Sequence, residues 1–264
     1  MTAPILSAPI FIGGAPRSGT TLLRAIINAS GHIACGPEAR IVPALCSLAS
    51  QIEAQKLPVL SRDYGLSQAS LQASFARAIE GFLAPLAKDG KRIAEKTPAN
   101  ALHFTQLRRL FPDSPLVTII RDPRDVVASL LDMDWRDGAS GEPLTITHDP
   151  AEGARLWVKS VNSALALAPD PNLYALRYEH LAAHPAREIS ALFAFLGIKE
   201  ALEPALAHHT AFNAGDGEHE SSAARVAQPI DQAACGRWQR DLSTSQIAII
   251  EDIAGPCMRQ LGYD

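Results

Sequence analysis

The sequence predicts an α/β fold: a parallel β-sheet flanked by helices, organised around a strand–loop–helix unit near the amino terminus. Three observations carry this. The apolar run Pro9-Ile10-Phe11-Ile12 turns through Gly13 and Gly14 into a stripe of Leu22, Leu23, Ile26 and Ile27 at helical spacing. Two further strand patterns, 92–95 and 116–120, bracket a helical pattern over about 101–111, and strand–helix–strand order implies parallel pairing. A fourth strand pattern, 173–177, follows a helical stretch from about 150 to 168. The chain has 264 residues, 47% hydrophobic and 20% charged, an ordinary composition that suits a single globular domain.

In chain order, Gly31 is placed to stop the first helix, and Glu38 and Arg40 precede a helix over 42–55. A helix-rich stretch over 66–87 puts Leu71, Phe75, Ile79 and Phe82 on one stripe, which reads as core. The strand at 92–95 runs into Lys96-Thr97-Pro98. After the strand at 116–120, Asp122 suits a helix cap and Pro123 the first helical position. Val126, Val127, Leu130 and Leu131 form that helix's buried stripe and leave Ser129 on its flank. Trp157, Val161, Leu165 and Ala168 face inward from the helix over 150–168. Tyr178-Glu179 follows the last strand, and a helix over 185–196 stops at Gly197. His208-His209 reads as a solvated helix end. Residues 214–228, AGDGEHESSAARVAQ, lack an apolar period and read as a surface loop of the kind that covers sites. Cys235-Gly236-Arg237-Trp238 then leads to a terminal helix over 245–261. No internal repeat is present.

The first loop is an anion site by construction. A strand turning through glycines into a helix aims unpaired N–H groups and the positive end of the helix dipole at one point. Gly19 admits a close ligand, and Ser18, Thr20 and Thr21 add hydroxyl donors. The spacing Gly14-x-x-x-x-Gly19-x-Thr21 is P-loop-like, resembling a Walker A loop, but Thr20 stands where that loop has its lysine. The cation comes earlier, at Arg17. Arg17, Lys96 and Arg121 each fall just past the carboxyl end of a strand, where ligands of parallel sheets sit. Net charge is −4, so these cations mark a local polyanion site rather than a surface for nucleic acid or membrane. A P-loop kinase-like phosphotransferase and a non-catalytic nucleotide-binding protein are the alternative functions. For Arg121 alone, pairing with Asp122 or Asp125 is the plain structural reading.

GAPRSGTTLLRA resembles the 5′-phosphosulfate loop of sulfotransferases that use 3′-phosphoadenosine 5′-phosphosulfate (PAPS). CGPEARIVP, residues 35–43, is similar to the segment that follows it in tyrosylprotein sulfotransferases. VTIIRDPRDVVASLL resembles the family's 3′-phosphate motif. The likeness spans nearly the whole chain and is strongest over 9–43 and 116–131. It implies the sulfotransferase fold, with PAPS as co-substrate, released as 3′,5′-adenosine bisphosphate, and no metal. Arg17, Ser18, Gly19, Thr20 and Thr21 would hold the 5′-phosphosulfate, and Lys96 would reach its bridging oxygen. Arg121 and Ser129 match the 3′-phosphate ligands. Arg237 falls on a second phosphate cation, Tyr178 on an adenine- or nucleotide-contacting tyrosine (an ordinary packed tyrosine is the alternative reading), and Ser222 on a serine near the transferring sulfate. Glu38 matches the general base, with His32 and His103 as alternates, and Arg40 would orient it or touch substrate. Pro37 and Ala39 depart from the family's acidic residue and threonine. The competing reading of Glu38 is a surface ion pair with Arg40.

Cys35, Cys46, Cys235 and Cys257 show no metal spacing and read as reduced thiols. The resemblance implies a cysteine partner for Cys35 where this chain has Ala94. With no basic start or apolar leader in MTAPILSAP, and no run of roughly 18 apolar residues, a cytoplasmic enzyme is expected. The acceptor reads as a peptide tyrosine or a hydroxyl or amine of a small molecule. Homodimers are common among relatives, although the sequence itself carries no interface signal.

Overall fold

The computed structural model describes residues 8–212 and 221–263. Strand β1 (Ile10–Gly13) leads into helix α1 (Thr20–Ala29), strand β2 (Ile33–Cys35) and helices α2 (Ile41–Gln55), α3 (Leu57–Tyr64) and α4 (Gln68–Leu83). Strand β3 (Arg92–Lys96), a 3-10 turn (Pro98–His103), α5 (Phe104–Leu110), β4 (Leu116–Ile120) and α6 (Pro123–Leu131) follow. Next come α7 (Pro150–Leu165), β5 (Leu173–Arg177), α8 (Tyr178–Ala183) and α9 (Pro185–Leu196). Short helices α10 (Leu202–Leu206), α11 (His208–Ala211), α12 (Ala223–Val226) and α13 (Trp238–Asp241) precede the long α14 (Thr244–Leu261).

The strands form one sheet in the order β2-β3-β1-β4-β5, every pair parallel. The central strand β1 is buried throughout and reads as a continuous apolar run, as a strand covered on both faces must. Its Phe11 lies opposite Glu95 on β3 and Leu116 on β4. The chain leaves β1 toward one edge and returns past it to the other, which opens a crevice at the carboxyl end of β1.

One core layer packs α1, α8 and α9 against Ile10, Ile12, Val117 and Ile119. Another joins α6, α7 and α14 around Trp157, and a third packs α2, α4 and α5 on Phe11. Asp122 caps α6 by accepting the Arg124 N–H at 2.8 Å, with Pro123 in the first turn as expected. Ser243 and Gln246 close a reciprocal capping box on α14.

Several expectations are corrected. Strand β2 was not foreseen, because Ile-Ala-Cys is too short to show a period. Phe82 is 60% exposed; Leu83, one residue on, is the core residue, so the inward stripe of α4 continues from Ile79 to Leu83 and leaves Phe82 outside it. Helix α7 stops at Leu165 and leaves Ala168 exposed, with Ala164 buried in its place. His208 is buried rather than solvated, and burial followed by the charge of His209 lowers its pKa. Of the 214–228 loop, 214–220 lies outside the described residues; in the remainder Val226 is buried and anchors α12. Cys35 stands opposite Ala94 in the β2–β3 register, and all four cysteines are thiols rather than disulfides. Among the described residues no helix is long and apolar enough to cross a membrane.

Candidate active site

The loop after β1 is held by close approach. A Cβ on Gly13 would sit 2.4 Å from the Ala101 nitrogen. Gly19, at φ 105°, precedes α1, and a Cβ there would meet Tyr178 Cδ2 at 2.7 Å. The loop therefore lies flat against the Tyr178 ring, and the first-turn amides of α1 open into the crevice. Arg17 itself adopts φ 69°, a left-handed conformation that a non-glycine holds only where its surroundings impose it.

That conformation sends the Arg17 side chain across the crevice. Its Nε donates to Ser129 Oγ at 3.0 Å, and its Nη1 donates to Ser221 Oγ at 2.5 Å and Ser222 Oγ at 2.9 Å. Three residues singled out from distant motifs, Arg17, Ser129 and Ser222, thus converge. Burial, and then the charges of Arg121 and Arg237, hold the Arg17 guanidinium below the ordinary arginine range. A site where cations press on one another is a site that favours an anion.

Arg121, following β4, is 5% exposed. It donates to the Arg17 carbonyl at 3.1 Å and to the Ala234 carbonyl, lies 3.7 Å from Asp125, and sits 4.8 Å over the Tyr178 ring. Its Nε has no hydrogen-bond partner among the described residues. The backbone beneath it is pinned: Trp157 Nε1 donates to the Arg121 carbonyl at 2.8 Å, and the Asp122 N–H donates to Glu179 at 2.8 Å. Asp125 accepts the Gly236 and Trp238 N–H groups at 2.8 and 3.0 Å, which docks the segment carrying Arg237 onto α6. Arg237 already pairs with Asp132 at 2.5 Å and Asp241 at 2.6 Å, so it reaches the site with its charge partly neutralised.

On the other side of Arg17, Lys96 is fully buried and donates to Glu38 Oε1 at 2.9 Å, with Thr21 Oγ1 at 3.5 Å. Glu38 Oε2 also meets Arg40 at 3.5 Å. The expected ion pair with Arg40 is therefore real, but it is the exposed and longer of two. His32 is exposed at the start of β2, at the opposite edge of the sheet from the crevice, and His103 lines neither cavity described next.

Two cavities result. The smaller, about 220 Å³, is lined by Arg17, Arg121, Ser129, Tyr178, Arg225 and Arg237 among others. The larger, about 540 Å³, is lined by Glu38, Arg40, Trp135, Arg136, Leu144 and Ile146 among others. Arg17, Gly19, Thr21 and Ser222 belong to both and form the partition. Thr20 faces the larger cavity, whereas the Ser18 hydroxyl is buried away from both. Sequence reasoning missed Ser221, Arg225 and Trp135, which lie in segments without periodicity, and Thr97, whose only mark was to follow Lys96. The smaller cavity offers a donor set suited to a polyanion: arginines, a buried guanidinium nitrogen without a partner among the described residues, a serine hydroxyl and, beside them, the face of a tyrosine.

The model described as Sulfotransferase family matches residues 9–203. Protein-tyrosine sulfotransferase A of Caenorhabditis elegans is 27% identical, over 97% of this chain and 67% of that protein. The protein-tyrosine sulfotransferase of Drosophila melanogaster is 26% identical, over 97% of this chain and 51% of that protein, so the chain spans about half to two thirds of these relatives' length. Among solved structures, the sulfotransferase domain from the curacin biosynthetic pathway superposes with a TM-score of 0.62 at 20% identity, covering 98% of this chain and 99% of that one. A mouse sulfotransferase complexed with PAP gives a TM-score of 0.57 at 17% identity, over 98% and 86% of the two chains. These superpositions show a shared fold. The family match over 9–203, joined to the loop, arginine and glutamate geometry described above, places this chain in the PAPS-dependent sulfotransferase family, as an enzyme similar to the protein-tyrosine sulfotransferases.

Proposed function

We propose that this enzyme moves the sulfuryl group of PAPS to a hydroxyl acceptor, with Glu38 as general base. The observation that carries the reading is the partition: a cationic cavity and a carboxylate-bearing cavity meet at Arg17 and Ser222. PAPS, when bound, supplies an already activated sulfuryl group, so the protein's work is to position and to balance charge.

In this reading Arg121, Ser129 and Tyr178 hold the adenosine bisphosphate portion, and Arg17 with the α1 amides holds the sulfuryl-bearing end. Glu38 accepts the proton of the acceptor hydroxyl at one carboxylate oxygen as the new S–O bond forms and the bond from sulfur to the 5′-phosphate oxygen breaks, with 3′,5′-adenosine bisphosphate as the leaving group. Lys96, 2.9 Å from that carboxylate and 3.5 Å from Thr21 Oγ1, orients it and carries positive charge toward the partition. The apolar wall of Trp135, Leu144 and Ile146, next to Arg40 and Arg136, suits an aromatic hydroxyl with acidic groups near it. The names of the relatives point the same way, toward the phenol of a peptide tyrosine, with a small phenol as the next choice. A cytoplasmic location accords with four cysteines that remain thiols.

Calorimetry with 3′,5′-adenosine bisphosphate, ADP and ATP·Mg²⁺ tests the cofactor. Tight binding of the bisphosphate alone supports the reading. Preference for ATP·Mg²⁺ overturns it in favour of a kinase-like phosphotransferase. Transfer of labelled sulfate from PAPS to a tyrosine peptide or to a simple phenol then identifies the acceptor class, and its absence with bisphosphate still bound marks a non-catalytic nucleotide-binding protein.

A further inference from the structure

Beneath the Glu38–Arg40 turn lies a carboxyl that this mechanism does not use. Glu95, one residue before Lys96 on β3, is 2% exposed. Its Oε1 accepts the Thr97 hydroxyl at 2.6 Å, and its Oε2 accepts Asn100 Nδ2 at 2.5 Å. The Ala39 N–H donates to the same carboxyl. Thr97 has a single hydroxyl proton; giving it to Glu95 turns the oxygen to accept the Arg40 N–H at 3.2 Å. Asn100 Nδ2 also donates to the Ile12 carbonyl at 3.0 Å, which ties the cluster to the end of β1 where the anion loop begins.

A buried carboxyl is costly unless its oxygens are satisfied, and Ile93 and Ala94 show that the strand itself asks only for apolar residues here. Burial raises the Glu95 pKa, and the Thr97, Asn100 and Ala39 donors pull it back. Of those donors, the Ala39 N–H belongs to the turn that carries the base, and the Thr97 hydroxyl accepts the Arg40 N–H of the same turn. Arg40 is held at φ 55°, so the turn needs such an anchor. Successive residues of a strand point to opposite faces. Lys96 therefore grips the Glu38 side chain while Glu95 grips the backbone just after it.

We propose that Glu95 is a positioning residue for sulfuryl transfer: through the Ala39 N–H and Thr97 it holds the turn that presents Glu38 to Lys96 and to the acceptor cavity. This rests on Glu38 being the base.

Three variants test it. Glu95→Gln offers one acceptor oxygen where three donors converge. Thr97→Val removes the hydroxyl at nearly constant shape, and Thr97→Ser restores it. The expected result is a kcat lower by about 10- to 100-fold in E95Q and T97V, an unchanged KM for PAPS, unchanged bisphosphate affinity, and recovery of kcat in T97S. Wild-type kcat in a folded E95Q, or a T97V loss that serine does not rescue, overturns the proposal. If E95Q fails to fold, the Thr97 pair decides alone. Hydrogen exchange of the Ala39 and Arg40 amides reads the anchor without any turnover. Arg40 protection in the wild type that is lost in T97V supports it, and Arg40 protection unchanged by T97V overturns it. A wild type that transfers no sulfate breaks the functional reading, while the exchange result still decides the role of Glu95.

Discussion

The two cavities that meet at Arg17 are built from different material. One wall of the nucleotide side rests on the sheet and its core helices, and the segment 222–237 closes it from the other side. Arg121 and Ser129 are buried, and the backbone at Arg121 is fastened by Trp157 from α7 and Glu179 from α8. The acceptor side is walled by side chains on loops and turns, with the Arg40 side chain 75% exposed and the Arg136 side chain 55% exposed. A ligand that never varies can be met by rigid, buried charge. A variable acceptor is met where loops can change without disturbing the core. Arg17 and Ser222 belong to both sides, and it is there that the proposed reaction puts the transferring group.

If this division holds, each side's variants should move only its own ligand. Glu38→Gln should have the largest effect, lowering kcat about 10²- to 10⁴-fold in a sulfate-transfer assay while bisphosphate binding by calorimetry stays unchanged. Arg17→Ala should break the division by weakening both sides, with turnover down about 10²- to 10³-fold and bisphosphate affinity reduced as well. Arg121→Ala should weaken bisphosphate binding by about 1.5–3 kcal/mol, tenfold or more, and leave the acceptor KM alone. Trp135→Ala should do the reverse, raising the acceptor KM several-fold with no change in nucleotide affinity; a shift in bisphosphate binding there would count against two separate sides.

The smallest effects concern the scaffold beneath the nucleotide side. The Tyr263 hydroxyl donates to Glu179 Oε2 at 3.0 Å, and Glu179 in turn holds the Asp122 N–H. Tyr263→Phe should lower the melting temperature by about 3–6 °C, since a hydrogen bond to a charged group is worth about 1.5 kcal/mol or more. Asp125 is held above the usual carboxylate range by burial, which Arg121 and the Trp238 and Gly236 N–H groups only partly offset. A raised folded-state pKa means that the native chain binds this proton more tightly than the unfolded chain. Its contribution is full below the unfolded value and fades as pH rises through the folded one. Denaturant midpoints of Asp125→Asn should therefore lack part of the wild-type decline across that window.

Much of the nucleotide side was legible from the chain alone. Ile10-Phe11-Ile12, the glycines and the Arg121-Asp122-Pro123 cap signal their structures locally, because strand burial, left-handed turns and helix caps depend on neighbours in sequence. What failed were features set by distant packing. Phe82 lies on the expected stripe, yet the core continues from Ile79 to Leu83 and leaves Phe82 exposed. His208 looked solvated beside His209 but packs into the interior. The Ser18 hydroxyl belongs to the loop by sequence and turns away from both cavities.

The acceptor side shows the same limit at closer range. Glu38 and Lys96 could each be named from their segments, but their contact at 2.9 Å, the carboxyl of Glu95 beneath them and the wall containing Trp135 come from parts of the chain 57 to 97 residues away from Glu38. By itself the sequence determined the strand–loop–helix anion site, the parallel pairing of the strands it showed and the cations at their ends, since each follows from local conformational preference and periodicity. The tertiary structure decided which cation meets which hydroxyl, that Arg237 arrives paired with two carboxylates, and that two cavities share one arginine. Those are matters of side chains brought together by the crossing of β1, and no local rule along the chain encodes them.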